Sequence, residues 1–220
     1  RHVPSSDETA SEFWAVDTTG LVGRLAGAAT WTAITLTDAI STPAEVFGAS
    51  LGGFLHLAYN SAVDRMHVWD PVLGKVRRSG VATPAAPTTA AMGGGGLSFT
   101  RSYRQRYVRV GTDTEISEAS TPAAPITIAA KLGVTITKSA AISEDETHWD
   151  VEAADVPAGP WYRIARTVVG TTTFDDTNAT IPTTNLTAVD CANTVLPSMK
   201  YIGTDDNRLY GTGAWETTSN

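Results

Sequence analysis

The chain has 220 residues, a formal net charge of −7, 42% apolar residues and 18% charged ones. That balance excludes simple disorder, and the acidic surplus argues against a protein that grips nucleic acid over its whole surface. A single cysteine, Cys191, rules out an intrachain disulfide and reads as a small buried apolar residue. Residues 1–10 are polar and without period, as expected of an arm or a loop end. Phe13–Val16, Leu21–Leu25 and Trp31–Leu36 then follow as short strands separated by turn-forming residues, an antiparallel meander. Residues 37–48 read as a loop that opens on Ser41-Thr42-Pro43-Ala44-Glu45. A second meander runs from Phe47 through Gly53–Tyr59 and Arg65–Asp70 to Val76-Arg77-Arg78.

The composition breaks at residues 82–96, where Ala, Pro, Thr and Gly dominate. Proline removes ladder donors and glycine carries backbone entropy, so this stretch is expected to be a domain boundary. Beyond it, Leu97–Val110 is one long strand. Glu115–Ser120, Ile126–Ile128, Val134–Thr137, Trp149–Glu152, Trp161–Arg166 and Thr171–Asp175 follow. Some seven short strands between turn signals indicate a sandwich. After residue 182 the first style returns, with Met199–Ile202 and Arg208–Gly213 around a turn. The expected organisation is 1–81 and 182–220 in one style, with 82–181 inserted between them.

Internal similarity supports that division. Phe47–Tyr59 and Met199–Trp215 share an apolar strand, a tight turn, a second strand of small alternating residues and an aromatic-rich end. Phe13–Leu36 fits the neighbouring part of the same unit. The spacing of the first two meanders is about that of a four-stranded propeller blade. The fold class expected is therefore all-β, with propeller-like antiparallel meanders interrupted by a fibronectin-III or immunoglobulin-like sandwich. Arg1 in place of a methionine, and a strand-like stretch close to Asn220, give the expectation that both ends are cut from a longer protein. The polar start shows no signal peptide, and no apolar run approaches the length of roughly 18 residues that spans a bilayer.

Few residues point to chemistry. Glu144-Asp145-Glu146 with His148 is weighed as a cation site but reads as a solvated turn. Asp175-Asp176 and Asp205-Asp206 are adjacent pairs that point to opposite faces if extended, which suits turns better than paired acid–base work. His56 and His67 lie on neighbouring strands where they could face each other, without a metal-protease motif. Gly93–Gly96 lacks the Lys-Ser or Lys-Thr of a phosphate loop, and no nucleophile elbow is present. Asn178-Ala179-Thr180 and Asn185-Leu186-Thr187 match the glycosylation pattern by chance. No catalytic set, metal site or cofactor is expected.

The basic strand is the main interaction candidate. Arg101, Tyr103, Tyr107 and Arg109 share one face of it, and Arg104 and Arg106 share the other. Arginine beside aromatic rings binds phosphate and stacks on bases; equally, it pairs with acids across strands. Trp161 and Trp215 are candidates for an exposed aromatic platform.

Thr83-Pro84-Ala85-Ala86-Pro87, Tyr103–Val108 with Gly111 and Glu115–Ser120, Trp161–Ala165, and Thr171–Thr177 together resemble a fibronectin-III-like module of phage virion proteins. The module covers under half the chain. Its flanks, with Trp69-Asp70 and Asn207–Tyr210 at blade-like positions, resemble phage nozzle or tail-tube-adaptor proteins. The resemblance implies a non-enzymatic structural component of a bacteriophage tail, located in the virion. It also implies a symmetric homo-oligomer, contacts with other tail subunits and transient contact with phage DNA. The alternatives are a glycan- or receptor-binding tail module and a propeller-type polysaccharide hydrolase.

Overall fold

A computed structural model describes residues 12–16, 22–26, 31–34, 36, 40, 45–60, 64–70, 73–110, 114–187, 198–199, 201–205 and 208–212. The protein is all-β, with antiparallel sheets and no helix among the described residues. The chain divides into two compact units, one built from residues 1–79 and 195–220, the other from residues 80–194.

The first unit opens with a meander of β1 (Glu12–Val16), β2 (Val22–Ala26) and β3 (Thr32–Ile34). A four-stranded meander follows in strict sequence order: β4 (Phe47–Leu51), β5 (Phe54–Ala58), β6 (His67–Asp70) and β7 (Lys75–Arg78). Leu51 pairs with Phe54, so the β4–β5 loop has only two residues, Gly52 and Gly53. Both have positive φ, 58° and 82°. Such a turn matches the right-handed twist of its strands and needs residues without a Cβ penalty. On β5 the period of two puts Leu55 and Leu57 into a core with Ile34, Ile40, Tyr59, Trp69 and Val76. Trp14 packs on Trp69 at 4.8 Å between ring centroids.

The hairpin of β16 (Tyr201–Asp205) and β17 (Arg208–Thr212) belongs to the same unit. Tyr201 meets Phe47 edge to face at 4.8 Å. The segment at 41–44, Asp206 and Cys191 lie outside the described residues.

In the second unit two antiparallel sheets share one core. The smaller has the order β15-β12-β8, from β15 (Thr173–Asp176), β12 (Val134–Thr137) and β8 (Thr88–Ala91). The larger has the order β10-β9-β13-β14, from β10 (Thr114–Ile116), β9 (Gly94–Val110), β13 (His148–Ala154) and β14 (Tyr162–Val168). β11 (Ile126–Lys131) pairs with the first half of β9. Tyr103, Tyr107, Trp149, Val151 and Ala153 from the larger sheet meet Val134 and Ile136 from the smaller one, all fully buried.

Two sequence expectations need correction. The stretch 82–96, expected as a domain boundary, carries strands of the second unit: Thr88–Ala91 is a strand of the smaller sheet, and Gly94–Gly96 begins β9. The glycines there answer a tertiary demand. A Cβ on Gly95 would lie 2.5 Å from the backbone of Lys131 and Leu132, so only glycine lets β9 pass the β11–β12 connection. At the far end the second unit runs to 194 rather than 181. Leu186 bridges to Tyr162, Asn185 accepts from the Arg163 N–H, and the Thr187 N–H donates to the Trp161 carbonyl. Residues 185–187 thus extend the sheet along the edge of β14.

Candidate functional site

β9 sets the chemistry of the second unit because its two faces carry different arginines. The core face holds Arg101, Tyr103, Gln105, Tyr107 and Arg109, as the period of two dictates. Arg101 is 1% exposed and donates to the Asp176 carboxylate at 2.6 Å, and to the carbonyls of Asn178 and Ala179. Its guanidinium lies 4.1 Å from the Phe99 ring centroid. The Tyr103 hydroxyl donates to the same Asp176 carboxylate at 2.8 Å. Tyr107 donates to the carbonyls of Ser139 and Ala140. Arg109 donates to the Glu115 carboxylate at 2.6 Å and to the carbonyls of Glu144 and Gly80. A buried guanidinium is tolerated only with such partners.

The phenols feel this burial. Tyr103 is held well above the usual tyrosine range, first by desolvation, then by the charge and hydrogen bond of Asp176, with Arg101 opposing. Tyr107 is raised chiefly by burial, against a lowering hydrogen bond to Ser139. Tyr59 in the other unit is raised by burial and by Asp64.

The opposite face of the sheet forms a grid. The central strand β13 contributes Asp150 and Glu152, 2% and 1% exposed. Register places Arg106 and Arg166 on either side of Asp150, and Arg104 and Arg163 on either side of Glu152. Glu152 accepts from Arg104 at 2.5 Å and from Arg106 at 2.7 Å. Asp150 accepts two hydrogen bonds from Arg166, at 2.7 and 2.8 Å, and has Arg163 at 3.6 Å. The hydrogen bond to Asp150 raises the pKa of Arg166 further, more than burial lowers it.

A bulge makes the grid possible. Register shifts between Val151 and Glu152 against β14, so Ile164 and Ala165 both pack toward the core. Arg163 and Arg166, three apart, then share the outer face, which a regular strand forbids.

A cavity of about 400 Å³ opens over this grid. Its lining includes Arg106, Asp150, Glu152, Arg163, Ile116 and residues 184–187. Arg163 retains 35% of its side-chain exposure and Arg166 30%.

Arg101, Tyr103, Arg106, Tyr107 and Arg109 are buried and Arg104 is mostly so, hence the basic strand is an internal ion-pair layer rather than an open strip. Its division into two faces matches the expectation. Trp161 is 8% exposed, beneath the Arg104 guanidinium at 4.4 Å, and is no exposed platform. Trp215 lies outside the described residues.

The acidic run before Trp149 is not a solvated turn. Glu146 accepts from the N–H groups of Ile142, Ser143 and Glu144, while Glu144 accepts from Ala82. Both carboxylates are buried in this loop, which turns through positive φ at Ser143 and Asp145. Asp175 and Asp176 do point apart, Asp175 to Thr135 and Asp176 into the core. His56 pairs with Val68 and His67 with Leu57, so the two histidines lie on opposite faces. No group of three or more metal-ligating side chains occurs among the described residues.

Sequence reasoning passed over Asp150, Glu152, Arg163 and Arg166 as a set. The alternation of Trp149-Asp150-Val151-Glu152 already placed both acids on one face. The bulge that brings Arg163 and Arg166 to them has no sequence mark.

No protein-family model matches the chain, and no curated protein sequence matches it.

Proposed function

We propose that this chain is a non-enzymatic structural component of a bacteriophage virion, placed in the tail and acting through contacts with other tail subunits in a symmetric assembly. The observation that carries the reading is the insertion: the unit formed by both arms of the sequence is interrupted by a second unit with its own core. That organisation agrees with the nozzle- or adaptor-like pattern of propeller-like blades alternating with a sandwich module. The sequential four-stranded order β4-β5-β6-β7 supports the blade-like part. The two facing sheets of residues 80–194 support the sandwich part.

Further support comes from how charge is used. The arginines of β9 and the acids around Trp149 hold the second unit together, which suits a rigid building block. The strand offered for DNA contact is internal. Of the two tryptophans offered for glycan contact, Trp161 is covered and Trp215 lies outside the described residues.

The test is immunogold labelling of purified particles with antibodies raised against this chain. Clustered label on the tail is expected. Particles that never label would contradict the proposal.

A further inference from the structure

An edge strand offers a row of backbone N–H and C=O groups to any strand that comes beside it, and edges are kept from pairing by charge, bulges, short length or cover. In the second unit most edges carry one of these. β15 bears Asp175 and Asp176. β14 bears Arg163 and Arg166 and is covered in part by residues 185–187. β11 is broken by a register shift before Lys131, with Ala130 at a φ of 50°. β10 has three residues, one of them Glu115.

β8 carries none of them. It ends the smaller sheet, with β12 on one side and no strand on the other among the described residues. It reads Thr-Thr-Ala-Ala, and no charged residue occurs from Ser79 to Thr100. The Met92 N–H donates to the Gly133 carbonyl at the end of the β8–β12 pairing. Alternation then turns the backbone groups of Thr88 and Ala90 toward β12, and those of Thr89 and Ala91 outward.

We propose that β8 pairs with β8 of a second copy of this chain, antiparallel about a two-fold axis at Ala90. In that register Thr89 lies opposite the partner's Ala91, and Ala91 opposite the partner's Thr89. The outward groups thus meet as hydrogen-bonded pairs, each exchanging both N–H···O bonds. Ala90 faces the partner's Ala90 as a non-hydrogen-bonded pair, where side chains come closest, and a methyl group suits that approach. Ala90 and Thr88 are exposed, so their outer face is open to this pairing. A second copy is the occupant that fits, because the edge is its own complement and presents no charge for a different protein to read. Two-fold pairing also uses up the open edge of both chains, so the assembly closes at a pair. The product is one continuous sheet, β15-β12-β8 joined to its copy, with the aspartates of β15 at either end. The inference rests on the sheet edges alone; a ring can be built from such pairs, but the pairing does not depend on the tail reading.

The experiment is sedimentation equilibrium of the full chain, of Ala90→Lys, of Ala90→Glu and of an equimolar mixture of the two variants. The parent is expected to form a dimer in the micromolar range. Each variant alone sets like charges face to face across the axis and should weaken pairing about a hundred-fold or more. The mixture should dimerise again, because lysine then faces glutamate. Melting of both variants near the parent Tm shows that the fold is kept. A parent that stays monomeric would overturn the inference and leave the edge to a different protein. A dimer that persists in both variants, or a mixture that stays monomeric, would overturn it as well. The free chain is measured without particles, so this outcome is separate from the labelling of tails.

Discussion

Glu152 holds two guanidiniums, those of Arg104 and Arg106, while 1% exposed. Removing one member of a buried ion pair leaves uncompensated charge, so Glu152→Gln is expected to destabilise the protein by about 3–5 kcal/mol. Urea denaturation measures it; a loss under about 1 kcal/mol would mean the arginines find water instead. The phenols give a second expectation. A tyrosine in the unfolded chain ionises near about pH 10. Tyr59, Tyr103 and Tyr107 are all raised above that in the fold. Their contribution is therefore complete below about pH 10 and is lost as pH rises beyond it. Phenolate absorbance should show the three buried phenols ionising only as the chain unfolds. The two faces of β9 were legible in the period of two along Arg101–Arg109. Their partners were not, because Asp176 and Glu152 reach them through pairings 46 to 75 residues away in sequence.

At the scale of elements, glycines mark where backbones pass closely. A Cβ on Gly133 would stand 2.2 Å from the Asp176 carbonyl oxygen, where β12 runs beside β15. The ladder has no side chain that can give way there, so Gly133→Ala is expected to cost about 1–3 kcal/mol. Gly170→Ala, with open space around its Cβ, should be nearly neutral. Thermal melting of the two variants checks the contrast. Strand positions in both units followed from alternation and turn residues. The exceptions are instructive: β8 and the start of β9 were hidden in a run of Ala, Pro, Thr and Gly whose propensity favours a loop. Tertiary pairing with β12 and β11 overrides that propensity. The β14 bulge was equally hidden, since it is fixed by packing of Ile164 and Ala165 rather than by any turn residue.

For the whole molecule, the division into units makes a direct expectation. Residues 80–194 have their own core and their own ion-pair layer, so that piece alone should fold cooperatively with a single melting transition. Residues 1–79 alone lack the β16–β17 hairpin that meets Phe47 and should be less stable than the intact unit. Circular dichroism melts of the two pieces measure both. The compact units divide at residues 79 and 194, against the expected 81 and 181. Residues 185–187 look like loop but pair with the β14 edge. The proposal of a tail subunit is tested most directly by a cryo-EM map of the intact particle. The account predicts a ring of copies of this chain on the tail axis, with residues 80–194 as a separate body in each copy. A particle with no density for this chain would contradict it.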